Sequence, residues 1–282
     1  MILIRMVHSK CRNGTYPFTE LKRVVVTEDL VSWNANWNGY DPPEYNSEVL
    51  LNKPWADPPL YDPKFEPKWN ELDGVINRKS FMGIYNIVDG RPQNPEGRTG
   101  IKGRGILGKW GPNHAADPIV TRWKMVNGEK EINTVTKLPI LQLCCIQRRD
   151  CGQWALPGGM VDPGEKVTET LQREFLEEVL DSMNASSFQK QQDCEMIKSF
   201  FTAGTKIYEG YVDDPRNTDN SWMETVAVNF HDENGLQVGK FDLKAGDDAQ
   251  NVQWMDVDEN LNLYANHSQF VKTVVQLLNA HW

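Results

Sequence analysis

The sequence has little of what marks secreted, membrane-spanning or DNA-binding chains. Its 282 residues hold five cysteines, Cys11, Cys144, Cys145, Cys151 and Cys194. The number is odd and no Cys-x-x-Cys occurs, so neither a disulfide framework nor a zinc knuckle is indicated. Reduced thiols in an intracellular compartment fit this usage. No apolar run reaches membrane-spanning length, so no direct membrane insertion is expected; the longest, Leu138 to Ile146, suits a buried strand. Met1 to Met6 is too short for a secretory signal, although the basic residues beside it (Arg5, Lys10, Arg12) hint weakly at an organelle address. Positive charge is also scarce: 30 Lys and Arg face 39 Asp and Glu, a net charge of −9. That argues against nucleic acid as a partner, since a duplex binder needs a broad basic face. It leaves room for a small anion, because local arginines and a divalent metal override the global field.

What is present is enough for a full core, with 39% hydrophobic residues and 10% aromatic. The chain splits by texture. Up to about residue 125 it is rich in Pro, Gly, Asn and Trp, as in "YDPPEYNS" and "KPWADPPLYDPKFEPKWN", which read as turns and extended segments. Short strands are expected around Leu21–Thr27 and Ser80–Val88. From residue 126 the pattern is regular. "LPILQLCCIQRR", "KIYEGYVDD", "TVAVNFHD" and "VQWMDV" read as strands, "TETLQREFLEEVLDSM" as a helix and "HSQFVKTVVQLLNAHW" as a closing amphipathic helix. The expected organisation is therefore α+β: an irregular N-terminal α+β cap over 1–125, then an α/β/α sandwich with a mixed sheet over 126–282.

The chemistry concentrates in "GMVDPGEKVTETLQREFLEE", Gly159 to Glu178. At about 100° per residue, Leu171, Phe175, Leu176, Val179, Leu180 and Met183 share one stripe, with Thr168 a candidate cap. Glu174, Glu177 and Glu178 share an arc on the other side, and Arg173 can pair with Glu177 one turn on. A solvated acidic face is the plain explanation for such a helix taken alone. The preceding Gly158-Gly159 tilts the balance, because it lets backbone approach the helix and adds carbonyls to the carboxylates. Oxygen-only donors select magnesium or manganese, which neutralise a pyrophosphate and activate water against it.

The segment resembles the Nudix box: Gly, five residues, Glu, seven residues, then Arg-Glu-apolar-x-Glu-Glu-x-Gly-apolar. It matches at Gly159, Glu165, Arg173, Glu174, Phe175, Glu177 and Glu178, and departs at the end, where Leu180 replaces Gly and Asp181 an apolar residue. The resemblance implies a Nudix sandwich with Glu174, Glu177 and Glu178 as catalytic metal ligands. It makes Glu165 a further ligand or an orienting carboxylate, and gives Arg173 the task of fixing the glutamates.

Nearly the whole chain also looks like the mitochondrial-type ADP-ribose pyrophosphatases and the C-terminal domain of the melastatin-type cation channels gated by ADP-ribose. The matching blocks include "WADP" from Trp55, "GRTGIKGRGILGKWGPNHAADPIVTRW" from Gly97, "WALPGGMVDPGE" from Trp154, "GYVDDPRNTDNSWMETVAVNFHDE" from Gly210, "AGDDA" from Ala245 and "LYANHSQF" from Leu263. Arg98 and Arg104 among glycines suit phosphate, with a basic surface turn as the plain alternative. Asn113 and His114 could reach a phosphate or a ribose hydroxyl, Asn113 ranking first because a lone His is more often structural. Asp214 can take ribose hydroxyls and Arg216 a phosphate or the adenine face. Turn and cap chemistry is the better reading for Asp213 and Asp219. Gly159 is counted with the substrate-binding set. Asp247 or Asp248 could polarise the attacking water, a solvated turn being about as good an account. Glu224 is a further acidic candidate, and core packing is the better expectation for Trp222.

These implications converge on hydrolysis of ADP-ribose to AMP and ribose 5-phosphate with Mg2+ or Mn2+, in the mitochondrion or the cytoplasm. The rival is an ADP-ribose-sensing domain attached to or derived from a cation channel, which could still be active because "REFLEE" is intact. A Nudix enzyme acting on an oxidised nucleoside triphosphate or an RNA cap fits the long blocks poorly. Glu177→Gln and Glu178→Gln are each expected to abolish turnover while leaving thermal unfolding unchanged. Near-wild-type rates in both variants would overturn the metal assignment.

Overall fold

The computed structural model describes residues 8–179, 195–239, 243 and 249–282. The fold is α+β. A seven-stranded sheet is formed by β1 (Gly111–Trp123), β2 (Leu141–Arg148), β3 (Trp154–Ala155), β4 (Gly159–Met160), β5 (Thr205–Tyr211), β6 (Ser221–Asp232) and β7 (Ala249–Asp256). Its path runs β3-β2-β1-β6-β5, with β4 paired to β1 and β7 paired to β2. The helices α1 (Val167–Val179) and α2 (His267–Leu278) are the motif helix and the closing helix read from the sequence. Short two-stranded ladders, such as the parallel pair Glu44–Asn46 with Lys102–Gly105, account for most other regular structure.

The chain divides into two compact units. One comprises Met1–His114, Asp162–Gly164 and Gly210–Thr225; the other comprises Ala115–Val161, Glu165–Glu209 and Val226–Trp282.

The second unit follows from strand periodicity. In β2, Cys144 and Ile146 join the apolar cluster that receives Leu171 and Phe175 of α1. Leu141, Leu143 and Cys145 point the other way and are equally buried. A strand buried on both faces reads as a continuous apolar run, as this one does. It pairs antiparallel with β7 from Gln142↔Asp256 to Arg148↔Ala249, and with β1 at Leu141↔Trp123. The α2 stripe of Phe270, Val271, Val274 and Val275 is buried, with Phe270 stacked on Tyr208 of β5 at 4.9 Å between centroids.

Three expectations need correction. The "GPNHAADPIVTRW" stretch, to which the sequence assigns no strand because it falls mostly in the irregular cap, is the longest strand of the sheet. Pro118 disguises it; the residue falls between the part of β1 paired with β4 and the part paired with β2. The strand expected over Leu21–Thr27 shrinks to the single bridge Thr15↔Lys22. Its backbone bonds instead go to loops, Val24 N–H to the Gly100 carbonyl and Val26 N–H to Asn13 Oδ1. Over Ser80–Val88 only the bridge Ser80↔Gly83 and the pair Ile87–Val88 remain.

The first unit is irregular chain pinned by buried charge. Asp57 and Arg78 form a two-bonded pair at 2.8 and 3.0 Å, and Arg78 Nε also donates to Asp73 at 2.8 Å. Asp57 further accepts the Trp110 N–H, while the Phe65 and Trp69 rings flank Arg78. Asp213 gathers the N–H groups of Ser9, Lys10 and Cys11. Asp219 takes the N–H and hydroxyl of Thr99 and the Tyr40 hydroxyl, and burial pushes its carboxyl up to about 6. These are the turn-holding roles expected for Asp213 and Asp219.

Arg78→Ala takes the guanidinium from Asp73 and from buried Asp57, to which, among the described residues, only the longer 3.7 Å approach of Lys109 remains as an ion pair. It is expected to cost about 3–5 kcal/mol, the usual cost of breaking a buried pair from one side. Chemical denaturation of the variant beside wild type measures it.

Candidate active site

The motif forms a loop, a short strand and a helix. β4 lies antiparallel on β1, with Gly159 opposite Ala116 and Met160 opposite Ala115. α1 begins at Val167, so Thr168, the expected cap, sits inside the first turn. The capping bond comes from Glu169, whose Oε2 accepts the Lys166 N–H at 3.0 Å, one half of a capping box.

Arg173 is the centre of the site. Its guanidinium donates to Glu165 through Nε (2.9 Å) and Nη2 (3.0 Å), and through Nη1 to Glu174 (2.8 Å) and Glu177 (3.1 Å). Nη2 also reaches the Met160 carbonyl at 3.1 Å, tying the helix back to β4. Three carboxylates therefore share one guanidinium, which raises the arginine's proton affinity, chiefly through the Glu165 bond. Glu174 is buried at 8% exposure, so a solvated acidic face does not describe it. Burial outweighs the pull of Arg173 and pushes its carboxyl up to about 7. Glu177 is exposed. A Cβ at Gly159 would lie 2.3 Å from Glu174 Oε1, so a glycine is what lets the carboxylate rest against the loop. Glu165, Glu169, Gln172, Arg173, Leu176 and Glu177 line an open depression of about 380 Å³.

Among the described residues no three acidic, His or Cys side chains converge at ligand distance of one point. The donor chemistry nevertheless fits a hard divalent cation. All the donors are oxygens, a backbone carbonyl stands among them, and a buried carboxylate of raised proton affinity gains from any cation placed beside it. Backbone residue 178 belongs to α1, but the Glu178 side chain lies outside the described residues, as do Asp247 and Asp248.

The other expected residues lie in the first unit. Arg98 and Arg104, expected on phosphate, are spent on the fold. Arg98 donates to the carbonyls of Leu30, Ser32 and Ala35 beneath the rings of Trp33, Trp37 and Tyr40. Arg104 donates to the carbonyls of Asp57 and Gly108 beside Trp110. The Asn113 side chain closes the Lys109–Gly111 turn, accepting the Lys109 N–H at Oδ1 and donating from Nδ2 to the Lys109 and Gly111 carbonyls and to Ser221 Oγ at 3.0 Å. His114 is held neutral at pH 7, because burial lowers it to about 4; its Nε2 stands 3.8 Å from Glu224 Oε2, an approach rather than an ion pair. Glu224 accepts from Ser80, Phe81 N–H and Trp222 Nε1, so it anchors a loop, and Trp222 is fully buried. Asp214 and Arg216 come together as a two-bonded pair at 2.8 and 2.7 Å. Reading the sequence missed Thr170, buried in α1 with its hydroxyl on Glu165, and the Met160 carbonyl. Backbone groups leave no mark on a sequence, and a lone Thr beside an apolar stripe looks like filler.

Residues 140–277 match the NUDIX domain, and residues 26–111 match the "NUDT9-like, N-terminal domain". The class this defines is a Nudix hydrolase with a specific N-terminal extension. The mitochondrial ADP-ribose pyrophosphatase of Rattus norvegicus is 51% identical over 98% of this chain and 79% of its own length. Putative nudix hydrolase 6 of Caenorhabditis elegans is 46% identical over 94% of this chain and 95% of its own. A transient receptor potential cation channel subfamily M member-like 2 of Nematostella vectensis is 45% identical over 99% of this chain, which spans only 18% of that channel. This chain belongs to the NUDT9-like branch of the Nudix hydrolases. Enzymes of this kind depend on a divalent metal.

Gly159→Ala must drive the Glu174 carboxylate off the loop. It is expected to fold, since Gly159 needs no positive φ and the Cβ meets only the end of a side chain, but to lower hydrolysis roughly a hundredfold, the scale of an ångström misplacement at a reacting centre. Initial rates paired with a melting curve test this.

Proposed function

We propose that this chain hydrolyses the pyrophosphate of ADP-ribose to AMP and ribose 5-phosphate, with Mg2+ as its ion. The arrangement that carries the reading is Arg173 holding Glu165, Glu174 and Glu177 against the Gly159 loop. The substrate rests on the near full-length similarity to a mitochondrial ADP-ribose pyrophosphatase, whose address also supports a mitochondrial site over a cytoplasmic one. When bound, a divalent ion supplies charge neutralisation at the pyrophosphate and lowers the pKa of water toward neutrality.

The chain's own residues do the rest. Glu174 offers a carboxylate already stripped of most of its water, so it has little solvation left to lose. Arg173 keeps the glutamates from splaying under mutual repulsion and fixes the distance between helix and loop. Glu178 completes the acidic set by its place in the motif. Asp214 and Arg216 are proposed to take ribose hydroxyls and phosphate; Arg216 keeps its side chain 26% exposed while Asp214 aims it. Asp247 or Asp248 is the proposed base toward water. Among the described residues no helix is long and apolar enough to cross a membrane.

A second reading is favoured by the 45% identity to part of a cation channel: an ADP-ribose-sensing domain. One assay separates the two. Purified chain with ADP-ribose and magnesium is expected to release AMP and ribose 5-phosphate, and a chelator is expected to stop it. Saturable binding without AMP would replace the enzyme with the sensor.

A further inference from the structure

We propose that Thr170 is a positioning residue of the active site, holding Glu165 so that the Arg173 guanidinium aims the other glutamates. The inference rests on the reading of α1 as the seat of a divalent ion. Thr170 has 0% exposure, so its hydroxyl must find a partner inside the protein. In a helix the usual partner is the carbonyl four residues back. That carbonyl, on Lys166, stands at 3.3 Å, whereas Glu165 Oε2 stands at 2.8 Å. One proton serves one strong bond, and the nearer, charged acceptor takes it.

The consequence for Glu165 is specific. Oε2 accepts from Thr170 at 2.8 Å and from Arg173 Nη2 at 3.0 Å, while Oε1 accepts from Arg173 Nε at 2.9 Å. Both oxygens of Glu165 are thus held by donors from α1, and Oε2 is held by two of them. The three bonds fix the carboxylate plane, and the forked contact to Arg173 passes that orientation on. The far side of the same guanidinium then meets Glu174 and Glu177 at 2.8 and 3.1 Å. Thr170 thus acts at one remove from the glutamates. Satisfying a buried hydroxyl alone would require only the Lys166 carbonyl, and a Thr in that role would be replaceable by Val without effect on ion binding.

Thr170→Val keeps the volume and the branch at Cβ and deletes only the hydroxyl; Thr170→Ser keeps the hydroxyl. The test is direct binding of Mn2+ alone to the full chain without substrate, read from loss of the free-ion electron paramagnetic resonance signal. Wild type, both variants and Glu177→Gln are compared, each with a melting curve. Wild type is expected to bind and Glu177→Gln to bind far more weakly. Thr170→Val is expected to weaken binding roughly tenfold, the scale of losing a group that orients a ligand, with Thr170→Ser within about twofold of wild type. Unchanged binding in Thr170→Val overturns the positioning role while leaving the ion site standing. Equal weakening in Thr170→Ser overturns it too, because packing rather than the hydroxyl would be at work. No binding by wild type removes the ion site and the proposal with it.

Discussion

One guanidinium among three carboxylates sets the terms for the rest of the active site. Glu165, Glu174 and Glu177 would repel one another at close range, and Arg173 is the group that lets them stand together. Each neighbouring feature answers to that arrangement. The helix starts where Glu169 can satisfy the Lys166 N–H, which sets Glu165 just outside the first turn. The loop carries a glycine because anything larger would meet the Glu174 carboxylate. β4 stays on β1 while lending its Met160 carbonyl to the same arginine. The apolar half of α1, with Leu171 and Phe175 in the cluster over the sheet, supplies the rigid seat that a charged site needs.

The first unit solves a different problem with similar means. It has little regular backbone ladder, so its N–H and carbonyl groups need side chains as partners. Aspartates collect N–H groups, as Asp213 does, and arginines collect carbonyls, as Arg23 does from Thr99, Pro215 and Asn217. Aromatic faces then cover the cations, Trp33, Trp37 and Tyr40 over Arg98. This explains why so many Trp and Tyr occur in a stretch of polar, proline-rich sequence.

Periodic elements were legible in the sequence and contextual ones were not. β2, β5, β6, β7, α1 and α2 announce themselves, because a strand buried on two faces or a helix with one apolar stripe leaves a pattern in hydrophobicity. The motif's glutamates were legible by type and spacing, yet not the burial of Glu174, since a helical wheel does not say what the loop does. β1 was hidden by Pro118 and by polar residues that look like loop. Arg98 and Arg104 show how context adds to a motif: glycines beside an arginine suit a phosphate loop, and here they also permit close backbone crossing while the arginines bind carbonyls. At Gly100 a Cβ would lie 2.1 Å from the Val24 carbonyl.

The long reach of those aspartate and arginine bonds has a consequence for synthesis. Ser9 is tied to Asp213 across 204 residues, and Arg23 to Asn217 across 194. The partners that close the first unit are therefore the residues around 210–225, which leave the ribosome long after its opening segment. Until then the early chain has few local ladders to fold into and exposes its many aromatic side chains. A segment made earlier is completed by one made some two hundred residues later, so its aromatic faces find their cover only once residues around 210–225 have been translated.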